Sequence, residues 1–302
     1  MSVVEKAIRK LKEDKQAAAE ASSSAQQAAP ALPPEGASPP APGESVVTQR
    51  GAAILLDRGG LRAAGLLPPE QDMNALVRQY RHIKHPLVAK AIGRGAPRAP
   101  KGYLIMIASA MTGEGKSFTA INLALSLARE KDIRVLLVDA DVAKPQLSHV
   151  LGLSDSPGLL DALHDGNLDV ETLIHPTDLP TLSFLPAGLA SHAEATELLA
   201  SSRMERLATA LGENDRERIV VFDSPPLLQT TESAALARVV GQVVVVVRAE
   251  STPQPVLFDA LKILEGHPGV SLVLNQSVHT ATSEYYYYYG DGRAHQVQAG
   301  RA

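Results

Sequence analysis

The 302-residue chain contains no cysteine. That excludes disulfides, thiolate-held metals and iron–sulfur clusters, and it suits a reducing compartment. Basic charge is not in excess either. Lysine and arginine number 29 against 33 acidic residues, for a net charge of -4. Without an overall positive field, nucleic acid is not expected as the main partner. No run of about 18 apolar residues is present, so no membrane span is expected. The opening MSVVEKAIRKLKED is charged and has no apolar signal core, which predicts a cytoplasmic protein. No internal repeat is visible. The length suits one large domain with appendages.

What is present is organised around residues 103–128, YLIMIASAMTGEGKSFTAINLALSLA. The apolar run 103–108 has the length and content of a buried parallel strand. A loop of small residues follows, and then an apolar-periodic helix over 118–128. Strand, glycine loop and helix in this order form a phosphate cradle. Backbone N–H groups of the loop point at a polyphosphate, and the helix N-terminus adds partial positive charge. Thr112, Gly113, Glu114, Gly115, Lys116, Ser117 and Phe118 are the predicted nucleotide-binding residues. Lys116 can reach the β- and γ-phosphates, and the Ser117 hydroxyl can ligate Mg²⁺. The first position of the usual G-x-x-x-x-G-K-[ST] pattern is Ala110 here.

The rest of the chain divides into four parts. Residues 1–15 carry Val4, Ala7, Ile8 and Leu11 at helical spacing, which predicts a short amphipathic segment. Residues 16–70 read as a disordered Ala/Pro-rich linker followed by an irregular lead-in. Residues 71–280 form the core domain, and 281–302 a flexible tail. Within 71–93, Met73, Leu76, Val77, Tyr80 and Ile83 share one helical face, while Arg78, Arg81 and Lys84 recur on another. That basic stripe is either a solvated face or an intersubunit contact. Pro86 is expected to interrupt or kink the helix.

Beyond the phosphate loop, strands are predicted at 133–139, 182–185, 218–223, 243–247 and 270–275, with helical stretches between them. Such alternation predicts an α/β domain, a mostly parallel sheet with helices on both faces. Ligands of these sheets bind beyond the C-terminal ends of the strands. Three carboxylates fall there: Asp139 and Asp141 in LLVDADVAKPQ, and Asp223 in VVFDSPPLL. Hard oxygen ligands of this kind suit nucleotide-bound Mg²⁺. Asp141 is placed to orient or deprotonate an attacking hydroxyl. Asn275, at the end of the last strand, is read either as facing a nucleotide base or as a turn residue.

GEGKS, VDADVAKP and VVFDSPP together resemble the bacterial tyrosine kinases that control exopolysaccharide synthesis, a branch of the P-loop NTPases that includes the MinD/ParA-type ATPases. EKAIRKL, RHIKHPL and VLNQS resemble the subgroup paired with exosortase-type polysaccharide loci. The resemblance implies ATP and Mg²⁺ as cofactors, with Lys116 and Asp141 in catalysis and Ser117, Asp139 and Asp223 on the metal. It also implies a homo-oligomer held through Arg78 and Arg81. The usual partner is a membrane-embedded polysaccharide co-polymerase, or chain-length regulator, which would keep the kinase cytoplasmic but peripheral to the inner membrane. The Glu of the family's E-x-x-R-x-x-R interface helix is Ala75 here, and Met111 stands where MinD/ParA-type ATPases carry an extra lysine.

The tail carries a second signal. Of 7 tyrosines, five are consecutive: Tyr285, Tyr286, Tyr287, Tyr288 and Tyr289. Adjacent phenols cannot all pack inward, because strand faces alternate. The resemblance makes them phosphoacceptors, modified by a neighbouring subunit. A regulatory ATPase of the MinD/ParA type, without kinase activity, is the alternative.

Overall fold

A computed structural model of the chain describes residues 52–277, apart from 96, 190–193, 214 and 216. The amphipathic segment predicted at 1–15, the linker to residue 51 and the tyrosine run at 285–289 lie outside the described residues. In chain order the elements are α1 (Arg58–Ala63), α2 (Met73–Ile92), β1 (Leu104–Ser109), α3 (Lys116–Leu127) and β2 (Arg134–Asp139). They continue with α4 (Gln146–Val150), α5 (Leu159–His164), β3 (His175–Pro176), β4 (Leu182–Leu185), α6 (Ala195–Leu199) and α7 (Ser202–Glu213). The last are β5 (Arg218–Asp223), α8 (Glu232–Val239), β6 (Gln242–Arg248), α9 (Gln254–Ile263) and β7 (Val270–Asn275).

The seven strands form one sheet in the order β3-β4-β2-β5-β1-β6-β7. Every pair is parallel except β3 with β4. The central strands are apolar runs with no polar alternation, as burial on both faces requires. Every residue of β1 and β5 is buried, as are the first five of β6. The mostly parallel α/β sheet predicted from the alternation is therefore the observed fold. Because β1, β2, β5 and β6 run the same way, their C-terminal ends share one edge. Register sets Asp139 level with Asp223 across the β2–β5 pair.

Helix α2 is not interrupted at Pro86, which lies inside the helix over Met73–Ile92. Pro86 and its neighbour His85 face solvent, so the proline ring is accommodated away from the core. The helix ends at Gly93, whose φ of 78° suits a left-handed cap. Helix α2 packs on α3 through buried Tyr80, whose hydroxyl bonds to Thr119. Lys84 departs from the basic stripe. Its Nζ donates to the Ser126 carbonyl in the last turn of α3 at 2.9 Å and pairs with Glu130 at 2.6 Å. The Lys84 hydrogen bond holds the Glu130 carboxyl below its ordinary range.

The stretch from 52 to 69, expected as an irregular lead-in, is ordered onto the core. Asp57 caps α1 through the Gly59 N–H. Leu56, Leu61, Leu66 and Leu67 are buried. Ile54 bridges Thr177, the Ala52 carbonyl lies 2.9 Å from His175 Nδ1, and Asn122 of α3 donates to the Leu66 carbonyl. Burying four leucine side chains, at about 1.5–3 kcal/mol each, offsets the entropy of holding a short helix that would not form alone. Among the described residues no helix is long and apolar enough to cross a membrane.

Candidate nucleotide and phosphoryl-transfer site

The loop between β1 and α3 turns on two glycines. Gly113 and Gly115 have φ of 82° and 97°, in the left-handed region that side chains disfavour. Helix α3 begins at Lys116 with no side-chain cap from Gly115. Its first-turn N–H groups are thus left for an anion, and the helix dipole reinforces them. Ser109 Oγ donates to the Met111 carbonyl at 2.6 Å, which shapes the entry to the loop.

The loop forms one wall of a cleft of about 540 Å³. Thr112, Gly113, Lys116 and Ser117 line it on that side. Asp141, Lys144 and the start of α4, with Gln146 and His149, line the other. Lys116 is 7 % exposed and Asp141 9 %, so both charged residues are largely buried in the cleft walls they line. Burial raises the Asp141 carboxyl above its ordinary value, and the Lys116 charge partly restores it. A carboxylate shifted upward in this way is a better proton acceptor than a free one.

Asp139 and Asp223 lie deeper, at 0 % and 1 % exposure. Asp139 Oδ2 accepts two hydrogen bonds from Ser148, from its N–H and its hydroxyl, each at 2.8 Å. Ser148 Oγ in turn accepts the Ala187 N–H at 3.0 Å. Asp139 Oδ1 and both oxygens of Asp223 have no hydrogen-bond partner of good geometry. Burial pushes the Asp139 carboxyl up to about 7, against the pull of the Ser148 bonds. Burial and then the Asp139 charge push Asp223 up to about 8, with the Ser117 hydroxyl nearby as a partial offset.

Orphaned carboxylate oxygens beside a phosphate loop fit Mg²⁺, which takes one or two carboxylates and completes its shell with water and substrate phosphates. Among the described residues no three His, Asp or Glu side chains converge as a complete metal cage.

The predicted residues therefore separate by depth. Thr112, Gly113, Lys116, Ser117 and Asp141 share the cleft. Asp139 and Asp223 sit behind it at the strand ends. Glu114 is buried, with its carboxylate engaged by the Met111 N–H and the Thr252 hydroxyl, and Phe118 is half-buried on α3. Arg78 and Arg81 are exposed on α2 and do not line the cleft. Asn275, read as a base contact or a turn residue, donates one side-chain N–H to the Glu114 carbonyl at 2.9 Å. Lys144 and Ser148 were not singled out from the sequence. Lys144 stands inside the VDADVAKP motif, three residues from Asp141, and that proximity was its only signal. Nothing local marks Ser148.

A family model described as an AAA domain matches residues 102–255. The chain is 36% identical over 200 residues to the putative tyrosine-protein kinase EpsB of Ralstonia nicotianae, a match over 65% of this chain and 26% of that protein. It is 29% identical over 239 residues to the tyrosine-protein kinase YwqD of Bacillus subtilis, covering 78% of this chain and 96% of the relative. Among solved structures, the VpsO kinase domain superposes with a TM-score of 0.56 at 28% identity, covering 70% of this chain and all of that one. The chain thus spans about a quarter of the length of the Ralstonia relative and nearly the whole of the Bacillus one.

Proposed function

This chain belongs to the AAA-domain family matched over 102–255, and from that premise we propose that it is an ATP-dependent protein-tyrosine autokinase acting on its own C-terminal tyrosines. The observation that carries the reading is the shared cleft. Lys116, Ser117 and Asp141 line it together, and the unpartnered oxygens of Asp139 and Asp223 lie at the adjoining strand ends. The tyrosine-kinase names of similar proteins and the run of Tyr285, Tyr286, Tyr287, Tyr288 and Tyr289 supply the acceptor.

The loop N–H groups and Lys116 bind and orient the β- and γ-phosphates. The Ser117 hydroxyl, Asp223 and the free Oδ1 of Asp139 would hold Mg²⁺, which when bound supplies charge neutralisation on the transferring phosphoryl group. Asp141 receives the phenol proton as the tyrosine oxygen bonds to the γ-phosphorus and the bond to the ADP oxygen breaks. The products are ADP, phosphotyrosine and a proton. Lys116 stabilises the charge that shifts toward ADP.

A neighbouring copy presents the tail more readily than the same copy, which calls for a homo-oligomer, and the exposed Arg78 and Arg81 are its contact. The biological setting is control of exopolysaccharide synthesis or export. A membrane-embedded co-polymerase is the activating partner and recruits the kinase to the membrane.

The test is phosphotyrosine formation in purified protein incubated with Mg-ATP. Lys116→Met and a variant with Phe at 285–289 serve as controls. We expect signal in wild type and neither control. Phosphate release without phosphotyrosine would replace this reading with that of a regulatory ATPase.

A further inference from the structure

The carboxylate of the phosphate loop is turned inward. Glu114 is 4 % exposed, and both of its oxygens are engaged. Oε2 accepts the Met111 N–H at 2.7 Å, and Oε1 accepts the Thr252 hydroxyl. The Glu114 carbonyl accepts the Asn275 side-chain amide at 2.9 Å. Gly115 lies against that same amide, so a Cβ there would stand 2.0 Å from Asn275 Nδ2. Thr252 and Asn275 are 138 and 161 residues distant from Glu114 in sequence. They belong to one rigid corner. Arg248 pairs with Asn275 across β6 and β7, the Ala249 N–H donates to the Asn275 carbonyl, and Thr252 Oγ1 accepts the Arg248 N–H.

We propose that Thr252 and Asn275 are positioning residues of the nucleotide site, a two-point brace from the β6–β7 corner that holds the Glu114 turn of the phosphate loop. The proposal rests on the nucleotide-binding reading of the loop and not on phosphoryl transfer. Its chemistry is directional. At both contacts Glu114 presents an acceptor, its carboxylate to Thr252 and its carbonyl to Asn275, so each brace residue must donate. With the brace intact, the loop N–H groups stay aimed into the cleft and the Glu114 charge is spent within the protein. With a donor lost, the buried carboxylate is under-satisfied. It then turns toward water at the cleft, where it opposes a polyphosphate. Asn275 is also the last residue of the sheet before the chain runs on toward the tyrosines, ten positions later, so the brace ties the phosphate loop to the strand that leads into them.

The experiment titrates the full chain, with Mg²⁺ present, with a fluorescent N-methylanthraniloyl ADP. It compares wild type with Thr252→Val, Thr252→Ser and Asn275→Asp. Thr252→Val keeps the shape and removes the donor, Thr252→Ser restores the hydroxyl, and Asn275→Asp sets acceptor against acceptor. Losing one hydrogen bond to a charged or buried partner should weaken binding about tenfold in the Val and Asp variants. The Ser variant should match wild type within about twofold in affinity and in its thermal midpoint without nucleotide, whereas the Val and Asp variants, each leaving a buried acceptor under-satisfied, should melt a few degrees lower. Wild-type affinity in both Val and Asp variants overturns the brace. So does an affinity loss that follows lost stability without nucleotide and is shared by Thr252→Ser, since the bonds would then serve the fold alone. A wild type that binds no nucleotide overturns the loop reading along with the brace. A wild type that binds nucleotide and forms no phosphotyrosine leaves the brace standing while the kinase reading falls.

Discussion

Replacing Asp223 with asparagine keeps its shape and removes a charge that the fold holds at a cost. In the folded chain, burial and the Asp139 charge raise Asp223 from 3.8 to about 8. The unfolded chain leaves it near its ordinary value, so between these limits the folded state binds more protons than the unfolded. Stability without metal then falls as pH rises through that window. A full shift of that size sets an upper bound of about 6 kcal/mol. Sharing a proton with Asp139 and local relaxation reduce it to about 1–3 kcal/mol, or several degrees in melting midpoint for a domain of this size. Asp223→Asn should therefore gain on wild type as pH rises, its melting midpoint standing several degrees further above wild type at about pH 8.5 than at about pH 5, with a chelator present and nucleotide absent. Added Mg-ATP should reverse the order, because wild type gains ligand stabilisation that the variant loses. A variant no more stable than wild type at the higher pH would refute the claim that this carboxylate is held at a cost for a cation.

Three further outcomes test the remaining roles. Asp141→Asn should retain Mg-ATP affinity within a few-fold while phosphotyrosine formation falls by about 10²–10⁴, the usual contribution of a general base; calorimetry and a single-turnover assay separate the two. Ser148→Ala removes a hydroxyl bond to Asp139 and should raise that carboxyl further, so the Mg²⁺ requirement of nucleotide binding should shift to higher pH. An unchanged pH profile would make Ser148 a structural residue only. Alanine at both Arg78 and Arg81 should lower the mass of the assembly by light scattering and slow phosphorylation with it. An unchanged mass and rate would mark the stripe as a solvated face.

The phosphate loop and the sheet were legible along the chain because their signals are local. A buried strand declares itself by an apolar run, as in the valines of β6. The loop declares itself by Gly115-Lys116-Ser117 between a strand and a helix, even with Ala110 in place of the first glycine. The strand-end positions of Asp139 and Asp223 followed from the same patterns. Where locality ended, the reading thinned. The four leucines between 56 and 67 look like fragments of an irregular segment, because nothing nearby announces the surface that buries them. The two-residue strand β3 is too short to show any period.

The sequence by itself determined which side chains are candidates for phosphate, metal and proton chemistry in this protein, and on which strand ends they stand. Only the tertiary structure decided how those side chains are arranged. It set Asp139 level with Asp223, so that each charge costs more beside the other. It spent one oxygen of Asp139 on Ser148 and left the other free. It closed Thr252 and Asn275 onto Glu114 across more than a hundred residues of chain. Periodicity reports which face of an element is buried. The partner that meets that face is chosen by the packing of the whole sheet, whose long-range register no local pattern carries.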